Sequence, residues 1–229
     1  MGPLMLYAVG DIHGEREMLD DLLGKLPLDS DDAFVFMGDY IDRGPEPRGV
    51  VERLIELSKR QRCVFLMGNH ESMFLDFLGW TDLAYFGGDA FLMNGGDRTL
   101  ASYGYFDLDD PSPENFRLPC AHAAFFRGLA LSHREGDYLF VHAGVGRDQL
   151  SEADPEFALR RASVEDLLWD RATVDLPHKL GVTVVYGHTP ASDLEVRWNL
   201  PFSIGIDTGA VYGGHLTAIR LPDETVFQS

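Results

Sequence analysis

A chain of 229 residues with 37 acidic and 19 basic side chains has a formal charge of −18, which argues against the basic face that nucleic-acid and anionic-membrane binders need. Hydrophobic residues at 45% and charged residues at 24% describe a soluble globular protein with an ordinary core, of a size for one α/β domain over 1–229. The two cysteines, Cys63 and Cys120, form no C-x-x-C pair, so neither a thiolate zinc site nor a redox pair is indicated. With no signal peptide and no apolar run near the ~18 residues of a membrane span, a cytoplasmic setting is expected.

The first 80 residues alternate regularly. "LMLYAVGD" reads as a buried strand, and "EREMLDDLLGKL" follows as a helix with Met18, Leu19, Leu22, Leu23 and Leu26 on one face. Strand "AFVFMGD" comes next, then a helix around "RGVVERLIELSKR" with Val50, Val51, Leu54 and Ile55 inward. Strand "CVFLMGNHE" and a helix containing "SMFLDFL" close the stretch. Strand–helix–strand order with helices of this length implies parallel pairing, and ligands bind at the carboxyl ends of such strands. "GDIHG", "GDYIDRG" and "GNHE" all fall at that edge.

Residues from about 80 to 128 break the alternation and read as a cap or insertion. Their aromatics are expected to form the cap's own core, with one or two of Trp80, Tyr85, Phe86 and Tyr105 possible along a substrate groove. "DLDDPSPEN" lacks the sixth-position Gly and twelfth-position Glu of a calcium loop and reads as a surface turn. Beyond it, a hairpin closes near Glu135–Gly136, one helix covers "FALRRASVEDLLW", and "GVTVVYGHTP" is another strand and turn. The tail reads as short antiparallel strands joined at Gly213–Gly214 and Asp223–Glu224.

Taken alone, "GDIHG" is equally an ordinary strand-ending turn. Four similar turns change the balance: "GDYIDRG" with Asp39, Asp42 and Arg43, "GNHE" with Asn69, His70 and Glu71, "HAG" with His142, and "GHT" with His188. Pooled with Asp11 and His13, they supply carboxylate, amide and imidazole groups without a thiolate. That set suits Mn²⁺, Fe²⁺ or Zn²⁺. Six such ligands exceed the needs of one tetrahedral ion, so two metals are the natural count.

The ordered set "GDIHG", "GDYIDRG", "GNHE", "HAGV" and "GHT", spanning residues 10–189, resembles the phosphoprotein-phosphatase branch of the calcineurin-like metallophosphoesterases. "LMNGGD", "LLWDR" and "IDTGAVYGGHLT" further resemble small phage and bacterial protein phosphatases of the lambda type. The resemblance implies a four-layer αββα sandwich with a dinuclear centre at its top. On the matching positions, Asp11 and His13 bind the first metal, Asp39 bridges, and Asn69, His142 and His188 complete the second. Mn²⁺ is the first choice of metal, with Fe or Zn as alternatives.

The implied reaction is in-line attack of a metal-bridging hydroxide, with His70 as general acid held by Asp42. Arg43 and, by the lambda-type pattern, Arg171 bind phosphate oxygens, with Arg147, Arg160 and Arg161 as rivals for the second place. Glu71 needs no role beyond a carboxylate at a helix start, and His122, His133, His178 and His215 read as surface or core residues. The expected activity is that of a serine/threonine protein phosphatase acting on a phosphorylated protein or peptide, with no nucleic-acid or membrane partner. The alternative is a symmetrical diadenosine-tetraphosphate hydrolase or other nucleotide pyrophosphohydrolase, because one fold hosts many substrates. A phosphotyrosine or small-ester phosphatase, or an inactive metal-binding regulatory module, ranks below both.

Overall fold

Strand β1 (Leu6–Val9) is buried along its whole length in a computed structural model that describes residues 5–81, 89–106, 114 and 116–229. Tyr7 and Val9 face helices, whereas Leu6 and Ala8 face a second sheet. A strand covered on both sides reads as an unbroken apolar run. β1 pairs in parallel with β2 (Ala33–Phe36), and β2 with β3 (Arg62–Phe65).

The crossovers are α1 (Arg16–Lys25), which buries Leu19, Leu22 and Leu23, and α2 (Pro47–Leu57), which buries Val50, Val51 and Leu54. These are the stripes expected of helices lying on a sheet. Pro47 opens α2, where a missing N–H costs no helical bond. Helix α3 (Asn69–Phe77) begins inside "GNHE" itself.

Next come α4 (Asp89–Phe91), a π-helical turn over Leu92–Gly96, α5 (Asp97–Ser102) and α6 (Cys120–Arg127). Contrary to expectation, their aromatics build no separate core. The rings of Phe91 and Phe126 each lie 5.2 Å from Phe74 of α3, and Phe116 lies 5.8 Å from it. Short helices bury their apolar side chains by joining the nearest existing face, and the described part of the segment is continuous with the α1–α3 core. Apart from Glu114, "DLDDPSPEN" lies outside the described residues.

The second sheet has the order β4-β5-β6-β8-β7. It comprises β4 (Ser132–Glu135), β5 (Tyr138–Val141), β6 (Thr183–Tyr186), β7 (Arg197–Asn199) and β8 (Ser203–Gly205). β5, β6 and β8 are parallel, with antiparallel edges. The β4–β5 hairpin turns through a left-handed Gly136, as the sequence leads one to expect.

Where one helix was expected over "FALRRASVEDLLW", there are two: α7 (Pro155–Arg161) and α8 (Val164–Trp169). Ser163 separates them. Its hydroxyl accepts the Asp166 N–H at 3.0 Å, while the Asp166 carboxylate accepts the Ser163 N–H at 3.0 Å. This reciprocal cap starts a new helix.

β9 (Thr217–Leu221) and β10 (Thr225–Gln228) return to the first sheet, whose order is β10-β9-β1-β2-β3. The expected junction at Asp223–Glu224 is a true hairpin. The one at Gly213–Gly214 is not, because β8 and β9 belong to different sheets. That loop instead crosses between sheets through a 3₁₀ turn, Ala210–Tyr212, flanked by left-handed Gly209 and Gly213.

Leu6, Ala8, Val35 and Met37 pack face to face with Phe140, Val185, Ile204 and Ile206. The outer side of the second sheet meets Ala158 of α7 and Leu167 of α8. The result is the helix–sheet–sheet–helix sandwich that the resemblance implied. Among the described residues no helix is long and apolar enough to cross a membrane.

Candidate metal centre

The turn after β1 is stitched to the turn after β2. The N–H groups of Ile12 and His13 both donate to the Asp39 carbonyl, at 3.0 and 2.8 Å, and Gly14 donates to Tyr40. His13, Asp39, Asp42 and Arg43 all have left-handed φ angles, between 46° and 70°. Such backbone costs a non-glycine residue about 1–3 kcal/mol and persists only where surroundings impose it.

Glu71 supplies much of that imposition. Its buried carboxylate accepts the N–H groups of Asp39 (2.8 Å), Tyr40 (2.8 Å), Ile41 (3.3 Å) and Gly68 (3.0 Å). The helix-start role expected of it is therefore incomplete. Glu71 templates the Asp39 turn. Gly68 must be glycine, since a Cβ there would collide with the Asp39 carboxylate; a Cβ at Gly187 would likewise strike Asp11.

These turns, with those after β5 and β6, bring the expected donors together. All of Asp11, His13, Asp39, Asn69, His142 and His188 are buried, none more than 4% exposed. Asp39 is shared by two clusters whose donor atoms lie within 4.8 Å of one another: His13, Asp39 and His70 in one, Asp39, His142 and His188 in the other. Asp11 is aimed by accepting the His188 N–H through both oxygens, at 3.1 and 2.9 Å.

The hydrogen-bond pattern fits metal ions. Burial pushes the imidazoles down, His13 to about 3 and His188 to about 2, so the rings are neutral with one N–H each. His142 spends its N–H on the Met37 carbonyl (2.8 Å). Its bare Nε2 then faces two acceptors, Asn69 Oδ1 at 3.0 Å and Asp39 Oδ1 at 3.5 Å. His13 likewise uses Nδ1 on the Ile41 carbonyl (3.0 Å) and points Nε2 inward, toward Asp39 Oδ2 at 3.5 Å. The buried Nε2 of His188 has no hydrogen-bond partner among the described residues. At His142 Nε2, lone pairs converge without a proton between them, an arrangement that a divalent ion satisfies.

The surrounding carboxylates say the same. Burial, followed by neighbouring acidic charge, raises Asp11 well above the usual carboxylate range and Glu71 to about 8. Asp207, absent from the expected set, lines the cavity and is raised to about 6, by burial first. Its signal was present in "SIGIDTG", an apolar run ending in Asp and Gly like the other turns.

Beside the clusters, buried His70 Nδ1 meets Asp42 Oδ2 at 2.6 Å, the contact expected between these two residues. Arg43 Nη1 donates to His13 Nε2 at 2.7 Å. Arg171 donates to the His188 carbonyl at 3.1 Å and lines the same cavity of about 170 Å³. Its rivals Arg160 and Arg161 lie over Phe157 instead. Tyr212, 56% exposed, stands at the mouth with the Arg43 guanidinium 5.5 Å from its ring centre. Of the aromatics expected along the groove, Trp80 lies under Arg127 and Tyr105 packs on Phe116, both away from this cavity; Tyr85 and Phe86 fall outside the described residues.

Residues 4–216 match the calcineurin-like phosphoesterase family, and the chain belongs to it. It is 28% identical, over 97% of its length and 93% of the relative's, to the asymmetrical bis(5′-nucleosyl)-tetraphosphatase PrpE of Anoxybacillus flavithermus. It is 30% identical to the protein of the same name from Bacillus thuringiensis, over 95% of this chain and 91% of that one. A crystal structure of a protein assigned as a diadenosine tetraphosphatase superposes with a TM-score of 0.68 at 23% identity, covering 98% of this chain and 92% of that one.

These matches overturn the expected serine/threonine protein phosphatase and its phosphoprotein or peptide substrate. The five motif turns fit both readings of the sequence and could not separate them. The two PrpE relatives, matched over more than nine-tenths of both chains, are named for nucleotide hydrolysis.

Proposed function

We propose that this metallophosphoesterase hydrolyses dinucleoside polyphosphates of the bis(5′-nucleosyl) tetraphosphate class. The observation that carries the reading is the match over 97% of the chain to a relative named for that activity. In this reading Asp11, His13, Asp39, Asn69, His142 and His188 hold two divalent ions, with Mn²⁺ ahead of Fe or Zn for an oxygen- and imidazole-rich donor set. Such ions, when bound, supply Lewis acidity and lower the pKa of a water.

The chain's own residues do the rest. Arg43 and Arg171 grip phosphate oxygens with planar forks. Asp42 fixes the His70 ring, whose Nε2 hydrogen passes to the departing oxygen as the phosphorus–oxygen bond breaks. One water is consumed: its oxygen ends on phosphorus, its proton goes to solvent, and solvent restores the His70 proton. Tyr212 offers an exposed ring face to a nucleobase. Asymmetrical cleavage breaks an outer phosphorus–oxygen–phosphorus bridge, one of whose phosphorus atoms carries a nucleoside directly. Tyr212, beside the phosphate-gripping Arg43, is within reach of that nucleoside. Nucleotide substrates of this kind suit a cytoplasmic setting.

The test is product analysis. Mn²⁺-loaded protein incubated with diadenosine tetraphosphate is expected to release AMP and ATP, resolved by ion-exchange chromatography. ADP as sole product would mean cleavage at the central bond. An intact dinucleotide beside rapid release of phosphate from a phosphoserine peptide would end the proposal.

A further inference from the structure

We propose that Thr99, in the segment between the two sheets, is a positioning residue for the proton donor His70, acting through Asp42. The inference rests on the reading of His70 as that donor. Nothing in the sequence motifs marks Thr99, which lies 57 residues from Asp42 along the chain.

Asp42 is over-determined by it. The Thr99 hydroxyl accepts the Asp42 N–H at 3.0 Å and gives its own hydrogen to Asp42 Oδ1 at 2.5 Å. A hydroxyl has one hydrogen and two lone pairs, so both bonds form at once. The other carboxylate oxygen, Oδ2, then has one place to go, His70 Nδ1 at 2.6 Å. Thr99, Asp42 and His70 are at most 1% exposed, so no solvent substitutes for a lost partner. Without the hydroxyl, Oδ1 becomes a buried acceptor with nothing to accept, and Asp42 is free to turn away from the imidazole.

The same segment holds the neighbouring residue. Arg43 N donates to the Gly95 carbonyl at 3.3 Å, and a Cβ on left-handed Gly95 would come within 2.9 Å of that nitrogen. Thr99 is itself anchored. Phe91, just ahead of the π-helical turn, packs on Phe74 and Phe77 of α3, with centroids 5.2 and 5.1 Å apart. Helix α3 is the helix that starts with Asn69 and His70. A ring is therefore closed: His70 to Asp42, Asp42 to Thr99, and Thr99, along the chain from Phe91, back to the helix of His70.

A double-mutant cycle between Thr99→Val and His70→Asn tests this, run on metal-loaded protein with diadenosine tetraphosphate and, separately, phenyl phosphate. Thr99→Val is expected to lower kcat about 10-fold or more with KM within about twofold, and to change it less than about twofold once His70 is Asn. Thr99→Ser, which keeps the hydroxyl, is expected to recover most of the loss. Melting temperature and bound metal, measured on the same samples, should match wild type for Thr99→Ser. Equal losses from Thr99→Val in both backgrounds would overturn the proposal, as would a loss explained by missing metal or a rise in KM alone. Wild-type turnover of phenyl phosphate with diadenosine tetraphosphate left intact would sink the substrate reading while the Thr99 cycle stood.

Discussion

The two sheets serve the centre in different ways. The turns of the first sheet bring Asp11, His13, Asp39, Asp42, Arg43, Asn69 and His70, and they are bonded to one another. The second sheet sends His142 and His188 singly, and each is aimed by the first: His142 by the Met37 carbonyl, His188 by the Asp11 carboxylate. Of seven non-glycine residues with positive φ among the described residues, four lie in the site-facing turns after β1 and β2 of the first sheet and one, His188, in the site-facing turn after β6 of the second. Strain is concentrated where a hydrogen-bonded network can impose it. The first sheet is thus a template, and the second a donor of ligands placed against it.

If that contrast holds, the largest loss belongs to the template. Asp39→Asn is expected to lower turnover about 10⁴-fold, about 5.5 kcal/mol, and to weaken both metals in elemental analysis and calorimetry. A smaller effect than that of His142→Ala would reverse the ranking. His70→Asn should keep its metals and lose about 10²-fold on diadenosine tetraphosphate, the low end for a general acid because a polyphosphate leaves readily. The loss should grow on phenyl phosphate and shrink on p-nitrophenyl phosphate; equal losses would assign His70 to positioning the nucleophile.

On the second sheet's side, Arg171→Ala should cost one charge-assisted contact, about 1.5–3 kcal/mol in kcat/KM. Arg171→Lys should recover part of it, since the fork is lost. Unchanged kinetics would show that Arg43 grips the phosphate unaided. Tyr212→Ala is expected to raise KM for diadenosine tetraphosphate by about 1–2 kcal/mol, the lower part of the range for a stacked base, while phenyl phosphate turnover stays put. The smallest effect belongs to Ser163→Ala, far from the chemistry: about 1 kcal/mol of stability, read from urea unfolding, with kcat unaltered.

The fold and the gathering of the candidate donors at one sheet edge were legible because both depend on local pattern. Apolar runs buried on two faces end in Gly-bracketed acids and imidazoles, and five such turns cannot all be accidental. Glu71 and Thr99 were not legible, because their work is done on backbone N–H groups and a carboxylate that only the folded chain brings near. Asp207 sat in a pattern like the others but outside the five motifs. The split of α7 from α8 depended on reciprocal bonds between Ser163 and Asp166 that overrode the helical propensity around them. The substrate was misread for another reason. In the proposed reading Asp39, His70 and Arg43 serve either substrate equally, and the choice between peptide and nucleotide is assigned to Tyr212 and Arg171, single residues that carry little periodic signal.

β1 lies between β2 and β9, and Leu6 pairs with both Ala33 and Leu221. One partner is at hand almost as soon as β1 leaves the ribosome; the other is more than two hundred residues away. At about 5–20 residues per second, that interval is on the order of 10–40 s. Meanwhile one side of β1 is an open edge, a template for other chains as much as for β9. Gly10, in the turn after β1, donates its backbone N–H to the Thr217 carbonyl. That turn waits on residues 217–221 to be locked, and until they arrive β1 keeps an edge open to other strands.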